Sequence, residues 1–308
     1  MDVGTESGAE ARRVEEGSLI DPELRMRVLI VGASGMIGRH LLRDIPMIDP
    51  AIEVVGTYNS HPLPRGIAMD ITDIDSIKRG VAESKADIIL WLAGSKDVAA
   101  LERTPELSLR LNERPIADLI SLIASSSIAP RLIYISSDYV FAGRKGQYSD
   151  SDGTAPDTVY GLSKQRAEHL IASALPGSTS LRTSAVMSSQ GGFFAWLTSE
   201  LRNGNPVTLF DNAAFSPTPP LCLSRAIVAL LRDESLTGTL NFAGPRTTRF
   251  NFGKHVCEMF GFSASLIQPA QVDFAQSLLK PDLSLLTSER LSTYAPDTLD
   301  AFAPETCS

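Results

Sequence analysis

The chain has 308 residues, 43% hydrophobic and 21% charged, with a formal net charge of −8. That size suits one large α/β domain, or one domain with a smaller lobe, around a sizeable core. The negative balance excludes nucleic acid as the main partner, and no run reaches the roughly 18 apolar residues of a membrane span. Residues 1–25 (MDVGTESGAEARRVEEGSLIDPELR) are polar and lack the apolar stretch of a signal peptide, so a disordered extension and a cytoplasmic location are expected. Cys222, Cys257 and Cys307 are widely spaced and form no CxxC, and the four histidines are isolated. This pattern predicts neither a disulfide framework nor a metal site.

RVLIVGA (27–33) is an apolar run ending in glycine and reads as a buried strand, and MIGRHLLRDI behind it takes a helical pattern. AIEVVGTY (51–58) is a second strand; AMDITDID (68–75) is a short strand turning into a helix, with Thr72 and Asp75 spaced as a capping box. ADIILWLAG (86–94) and RLIYISS (131–137) are two more buried strands, separated by a helical stretch over roughly 97–126. SLRTSAVM (180–187) and TLNFAG (239–244) follow as later strands. Strands alternating with helices predict an α/β fold, a Rossmann-type doubly wound parallel sheet. Beyond 188 the alternation loosens, with helices in FFAWLTSELRNG, CLSRAIVALLRD and NFGKHVCEMFG and a Pro-rich loop, FDNAAFSPTPP. Residues 26–187 are therefore expected to bind a dinucleotide. Residues 188–308 should mainly build a smaller substrate lobe, with the chain crossing back near 239–244.

VGASGMIG places Gly32, Gly35 and Gly38 between the first strand and its helix. Glycines there admit a pyrophosphate to the helix N-terminus, where backbone N–H groups and the dipole favour an anion. Ser34, Met36, Ile37 and Arg39 complete this turn, although Met36 equally suits a gap in the core. Ile71, and Leu92, Ala93 and Gly94 at the next strand ends, are expected along the same cofactor. By itself, Asp70 reads as a helix cap. A site for NAD usually has an acid at the end of the second strand, for the ribose 2′-hydroxyl. Here that stretch is GTYNSH, with Glu53 back at the strand's start. NADP(H) is favoured over NAD(H), with Arg39 as the counter-charge for the 2′-phosphate; His61 and Arg65 are either helpers or solvated loop residues.

Ser136, Ser137 and Asp138 fall at the carboxyl end of the strand in RLIYISS, where open α/β sheets bind ligands. Tyr160 and Lys164 follow, four residues apart in TVYGLSKQRAE, and so on one helix face. An ammonium beside a phenol favours the phenolate, and a tuned phenol can exchange a proton with a substrate oxygen.

Ser, Tyr and Lys in that order behind a GxxGxxG resemble the extended short-chain dehydrogenase/reductases. ISSDYVFAG, YSDSDGTAP, VYGLSKQRAE and LRTSAV are similar to the dTDP-4-dehydrorhamnose reductase branch, which also includes the regulatory subunit of methionine adenosyltransferase. The resemblance implies that Ser137 binds the substrate carbonyl and Tyr160 gives the proton. It implies that Lys164 holds the nicotinamide ribose and lowers the tyrosine's pKa, and that Asp70 meets the adenine. Asn112 in RLNERP would bend a central helix and position a relay water. Ser136, Asp138, Val140, Thr183, Ser216, Thr218 and Lys280 would face the substrate. The chain departs from the family at three places: Trp91 and Leu92 replace Asn or His with small residues, Ala213 stands for a Gln, and Lys280-Pro281 for Arg-Pro. Tyr139 and Phe141 are expected in the core or pocket wall, and Trp91 under the cofactor or substrate. The expected activity is NADPH-dependent reduction of a ketone, first a nucleotide-linked 4-keto-sugar, by a possible homodimer. A catalytically silent, cofactor-loaded regulatory subunit is the alternative. A dehydratase or epimerase fits less well, because Ser137 is followed by Asp138-Tyr139 and not by an Asp-Glu pair.

Overall fold

The first strand, β1 (Met26–Val31), places Val28, Leu29, Ile30 and Val31 out of solvent on both faces of a sheet. Val28 and Ile30 join one apolar cluster while Leu29 and Val31 join another, so the strand reads as a continuous apolar run, not an alternating one. The computed structural model describes residues 25–125 and 130–303; the expected N-terminal extension to residue 24, and Cys307, lie outside the described residues.

Helix α1 (Met36–Ile48) follows β1, then β2 (Ile52–Tyr58), β3 (Ile67–Ala68), α2 (Ile74–Ser84) and β4 (Ile88–Trp91). The stretch expected as one helix is three: α3 (Val98–Arg103), α4 (Pro105–Ser108) and α5 (Arg114–Ala124), with a π turn at Leu109–Glu113. Pro105 and Pro115 lack the N–H that would continue the ladder, so the chain restarts at each. Asp73, and not Thr72, caps α2: its carboxylate accepts from the Asp75 N–H at 3.0 Å, while the Thr72 hydroxyl donates to Asp70 at 2.8 Å.

Strand β5 (Arg131–Ser137), helix α6 (Val159–Ala174) and β6 (Thr179–Thr183) complete the first part of the chain. Later come α7 (Gly192–Arg202), β7 (Val207–Phe210), β8 (Ala214–Phe215), α8 (Pro220–Arg232), β9 (Gly238–Phe242), β10 (Thr247–Thr248), α9 (Arg249–Phe260) and β11 (Ile267–Ala270). The large sheet is parallel throughout, in the order β3-β2-β1-β4-β5-β6-β9. The strand order reverses between β1 and β4, and a crevice opens there beyond the carboxyl ends. Leu41 and Ile45 of α1 and the buried face of α8 cover one side, and Ile77, Leu119 and Ile171 from α2, α5 and α6 the other. Two short sheets, β7 with β11 and β8 with β10, pack with α7 and α9 around Phe194, Phe215, Phe252 and Phe302, above that crevice.

Candidate active site

Ser137 ends β5, and Thr158 starts α6 by accepting the Gly161 N–H at 3.0 Å. Gly161 lets the helix come close: a Cβ there would meet the Tyr139 carbonyl oxygen at 2.1 Å. The close approach brings Tyr160 into hydrogen-bonding reach of Ser137. One turn on, the Lys164 Nζ donates to the Ile135 carbonyl at 3.0 Å and lies 4.6 Å from the centre of the Tyr134 ring. Ser137, Tyr160 and Lys164 all line one cavity of about 360 Å³, together with Ser136, Asp138 and Thr183.

Burial sets the protonation states. It pushes the Tyr160 hydroxyl well above the ordinary phenol, with hydrogen bonding to Ser137 pulling the other way. The lowering expected from Lys164 is therefore corrected: its ammonium is directed to the Ile135 carbonyl, 6.0 Å from the Tyr160 ring centre, and desolvation dominates. The same burial brings Lys164 down to about 8, against an upward pull from Glu168. Asp138 is pushed up to about 6 by burial, while hydrogen bonds from Ser184 and Ser137 hold it back. The Ser137 hydroxyl donates to Asp138 at 2.8 Å, which fixes its orientation.

A second cleft of about 810 Å³ adjoins the cavity, the two sharing Ile37, Leu92, Gly94, Ser95 and Lys96. Gly32, Ser34, Gly35, Met36, Gly38, Asp70, Ile71 and Ala93, all expected from the sequence along a cofactor, line this cleft. Gly32 sits at φ 88°, a conformation L side chains rarely adopt, and a Cβ would lie 2.9 Å from the Ala93 nitrogen. At the end of β2 the wall is Thr57, Tyr58 and Asn59, with no carboxylate; Glu53 is at the other end, paired with Arg27 at 3.7 Å. Arg39 lies beside the cleft, its Nε–H given to the Ser34 carbonyl at 2.9 Å. His61 and Arg65 are on the exposed loop beyond.

Other expected residues have different positions. Asn112 is buried in the π turn: Oδ1 accepts the Ser95 N–H at 2.7 Å, and Nδ2 donates to the Ser95 carbonyl and the Ser163 hydroxyl at 3.0 and 3.1 Å. It fixes the loop after β4 onto α6 rather than touching the cavity. Val140 is packed with Phe141, Tyr148 and Leu285. Ser216 is tied to the backbone of Leu285, and Thr218 donates to the Ser184 carbonyl at 2.6 Å, both without exposure. These three hold the wall from behind and do not line it. Trp91 likewise is core, its Nε1 donating to the Ala93 carbonyl at 3.0 Å. Lys280 lines the cavity, but its ammonium is 2.7 Å from Asp157. Phe215 and Arg249 also line the cavity, and Arg110 the cleft; no short motif in the sequence marks them.

The chain matches the RmlD substrate binding domain over residues 26–305. It is 30% identical over 276 residues to a probable low-salt glycan biosynthesis reductase of Haloferax volcanii, covering 85% of this chain and 89% of that one. A hypothetical dTDP-4-dehydrorhamnose reductase from Sulfolobus tokodaii superposes with a TM-score of 0.79 at 29% identity, over 90% of this chain and 99% of that one. The fold is shared too by a dTDP-4-dehydrorhamnose reductase from Bacillus anthracis in complex with NADP, at TM-score 0.75 and 22% identity, over 87% and 92% of the two chains.

Proposed function

The chain belongs to the RmlD substrate-binding domain family, and on that footing we propose that it is an NADPH-dependent reductase of a ketone carried on a nucleotide-linked sugar. The observation that carries the reading is the placement of Ser137, Tyr160 and Lys164 in a cavity that opens into the glycine-lined cleft at Leu92 and Gly94. The cleft suits the cofactor: Gly32 and Gly35 leave backbone open to a pyrophosphate, and the wall at Tyr58 and Asn59 offers a 2′-phosphate no carboxylate to repel it. NADPH, when bound, supplies the hydride that goes to the carbonyl carbon.

Tyr160 gives its hydroxyl proton to the carbonyl oxygen, and burial keeps that proton in place until the oxygen gains charge. Ser137 would turn its hydroxyl proton from Asp138 to the same oxygen and so orient it. Lys164, charged below about pH 8, would hold the nicotinamide ribose. Asn112 positions Ser95 at the junction of cleft and cavity. The protein works in the cytoplasm, where the free thiols of Cys222 and Cys257 stay reduced.

NADPH oxidation against a panel of keto-sugar nucleotides and smaller ketones tests the reading. Turnover with a keto-sugar nucleotide is expected. If no ketone supports oxidation while NADPH still binds, the protein is a cofactor-loaded regulatory subunit instead.

A further inference from the structure

Arg249 is the first residue of α9 and lines the cavity that holds Tyr160. Its guanidinium carbon lies 4.8 Å from the centre of the Phe193 ring and 5.5 Å from that of Phe215. Burial lowers its pKa, and the Tyr139 hydroxyl is the one group acting to raise it. Among the described residues no carboxylate pairs with Arg249. A partly buried cation without an anion is costly, and a ligand's negative charge removes that cost. Of the other cations on this wall, Lys280 is paired with Asp157 and Lys164 donates to the Ile135 carbonyl beside Tyr160, while Lys96 stands at the junction with the cleft. Tyr139 lies between the two working ends, its ring edge-on to Tyr160 at 5.7 Å.

We propose that Arg249 grips the diphosphate of a nucleoside diphosphate sugar whose ketone is presented to Tyr160. Arginine stacked on aromatic rings keeps its edge N–H groups for a bidentate contact with phosphate oxygens, which a lysine cannot match. Lys280, expected from the sequence to face the substrate, anchors its loop through Asp157. The inference rests on the reductase reading for its ligand, but its test does not depend on turnover.

Thymidine diphosphate is titrated into the protein by calorimetry, with quenching of the half-exposed Trp196, 5.7 Å from Phe193 by ring centres, as a second readout. Arg249→Met, which keeps a long side chain on the two rings, should weaken binding by about tenfold or more, the scale of a lost charge-assisted contact. Arg249→Lys should fall between the two, Lys280→Met should stay within about threefold of wild type, and NADPH affinity should not change in any of them. If Arg249→Met does not fold, Arg249→Lys carries the comparison. Failure of thymidine diphosphate to bind wild type, equal binding by both Arg249 variants and wild type, or a larger loss at Lys280 would each overturn the assignment. A protein that binds thymidine diphosphate through Arg249 yet reduces no ketone contradicts only the reductase reading. Turnover of a keto-sugar nucleotide with binding indifferent to Arg249 contradicts only this inference.

Discussion

Burial acts on Tyr160 and Lys164 in opposite senses, because it disfavours the charged form of each: the phenol rises and the ammonium falls to about 8. For a reductase both directions serve the chemistry. Tyr160 remains a proton donor across the physiological range, and Lys164 remains charged until the pH passes about 8. On the proposed role of Lys164 the consequence is a basic limb: kcat/KM for NADPH should fall as pH rises through about 8 in the free enzyme, since the charge that would meet the ribose is lost there. Lys164→Met should start from a low value and lack that limb, which a pH–rate profile would show. Ser137, Tyr160 and Lys164 were legible because a short strand and a single helix carry them. Arg249 was not, since its place in the cavity depends on Phe193 and Phe215 converging on it from separate elements. Nor could the sequence reveal that Lys280 is paired with Asp157, an ion pair made by the fold alone.

At the scale of elements, α6 is fixed to β6 by a buried ion pair. Glu168 accepts from Arg182 through Nε at 3.0 Å and Nη2 at 2.7 Å, and from the Ser136 hydroxyl at 2.5 Å, with both charged side chains almost without exposure. Glu168→Gln leaves the Arg182 charge buried without its partner and should lower stability by roughly 3–5 kcal/mol, read from the denaturant midpoint. Replacing both residues with Met should recover much of that loss, because no uncompensated charge remains. Glu168 also raises the Lys164 pKa, so Glu168→Gln should move the basic limb of the activity below about 8. The strands were readable from their apolar runs, and the glycine turn from its position after β1. The π turn at Leu109–Glu113 was legible only as a bend at Asn112; its exact hydrogen bonds, to Ser95 and Ser163, join elements far apart in the chain. Val140, Ser216 and Thr218 sit in cavity-adjacent segments, so their sequence positions could not tell lining from backing.

At the scale of the whole molecule, two sites of different chemistry meet over the switch point of the sheet, the glycine-lined cleft on one side and the Tyr160 cavity on the other. The cleft's wall at Tyr58 and Asn59 predicts tighter binding of NADPH than of NADH in a fluorescence titration. Arg39→Ala should narrow that difference while leaving NADH nearly unaffected, because Arg39 stands at the glycine turn, bonded to Ser34. The doubly wound architecture followed from the alternation of strands and helices. The pairing of β7 with β11 and of β8 with β10 did not, since such short strands carry too little pattern to announce their partners. Tyr160 is proposed to protonate a ketone beside a bound nicotinamide. Ketone-dependent NADPH oxidation in wild type and Tyr160→Phe, with NADPH affinity measured in both, decides whether Tyr160 plays that part. Loss of the hydroxyl should lower kcat by about 10²–10⁴-fold, the usual worth of a general acid, while NADPH binding stays intact. An active wild type matched by an equally active Tyr160→Phe would contradict it.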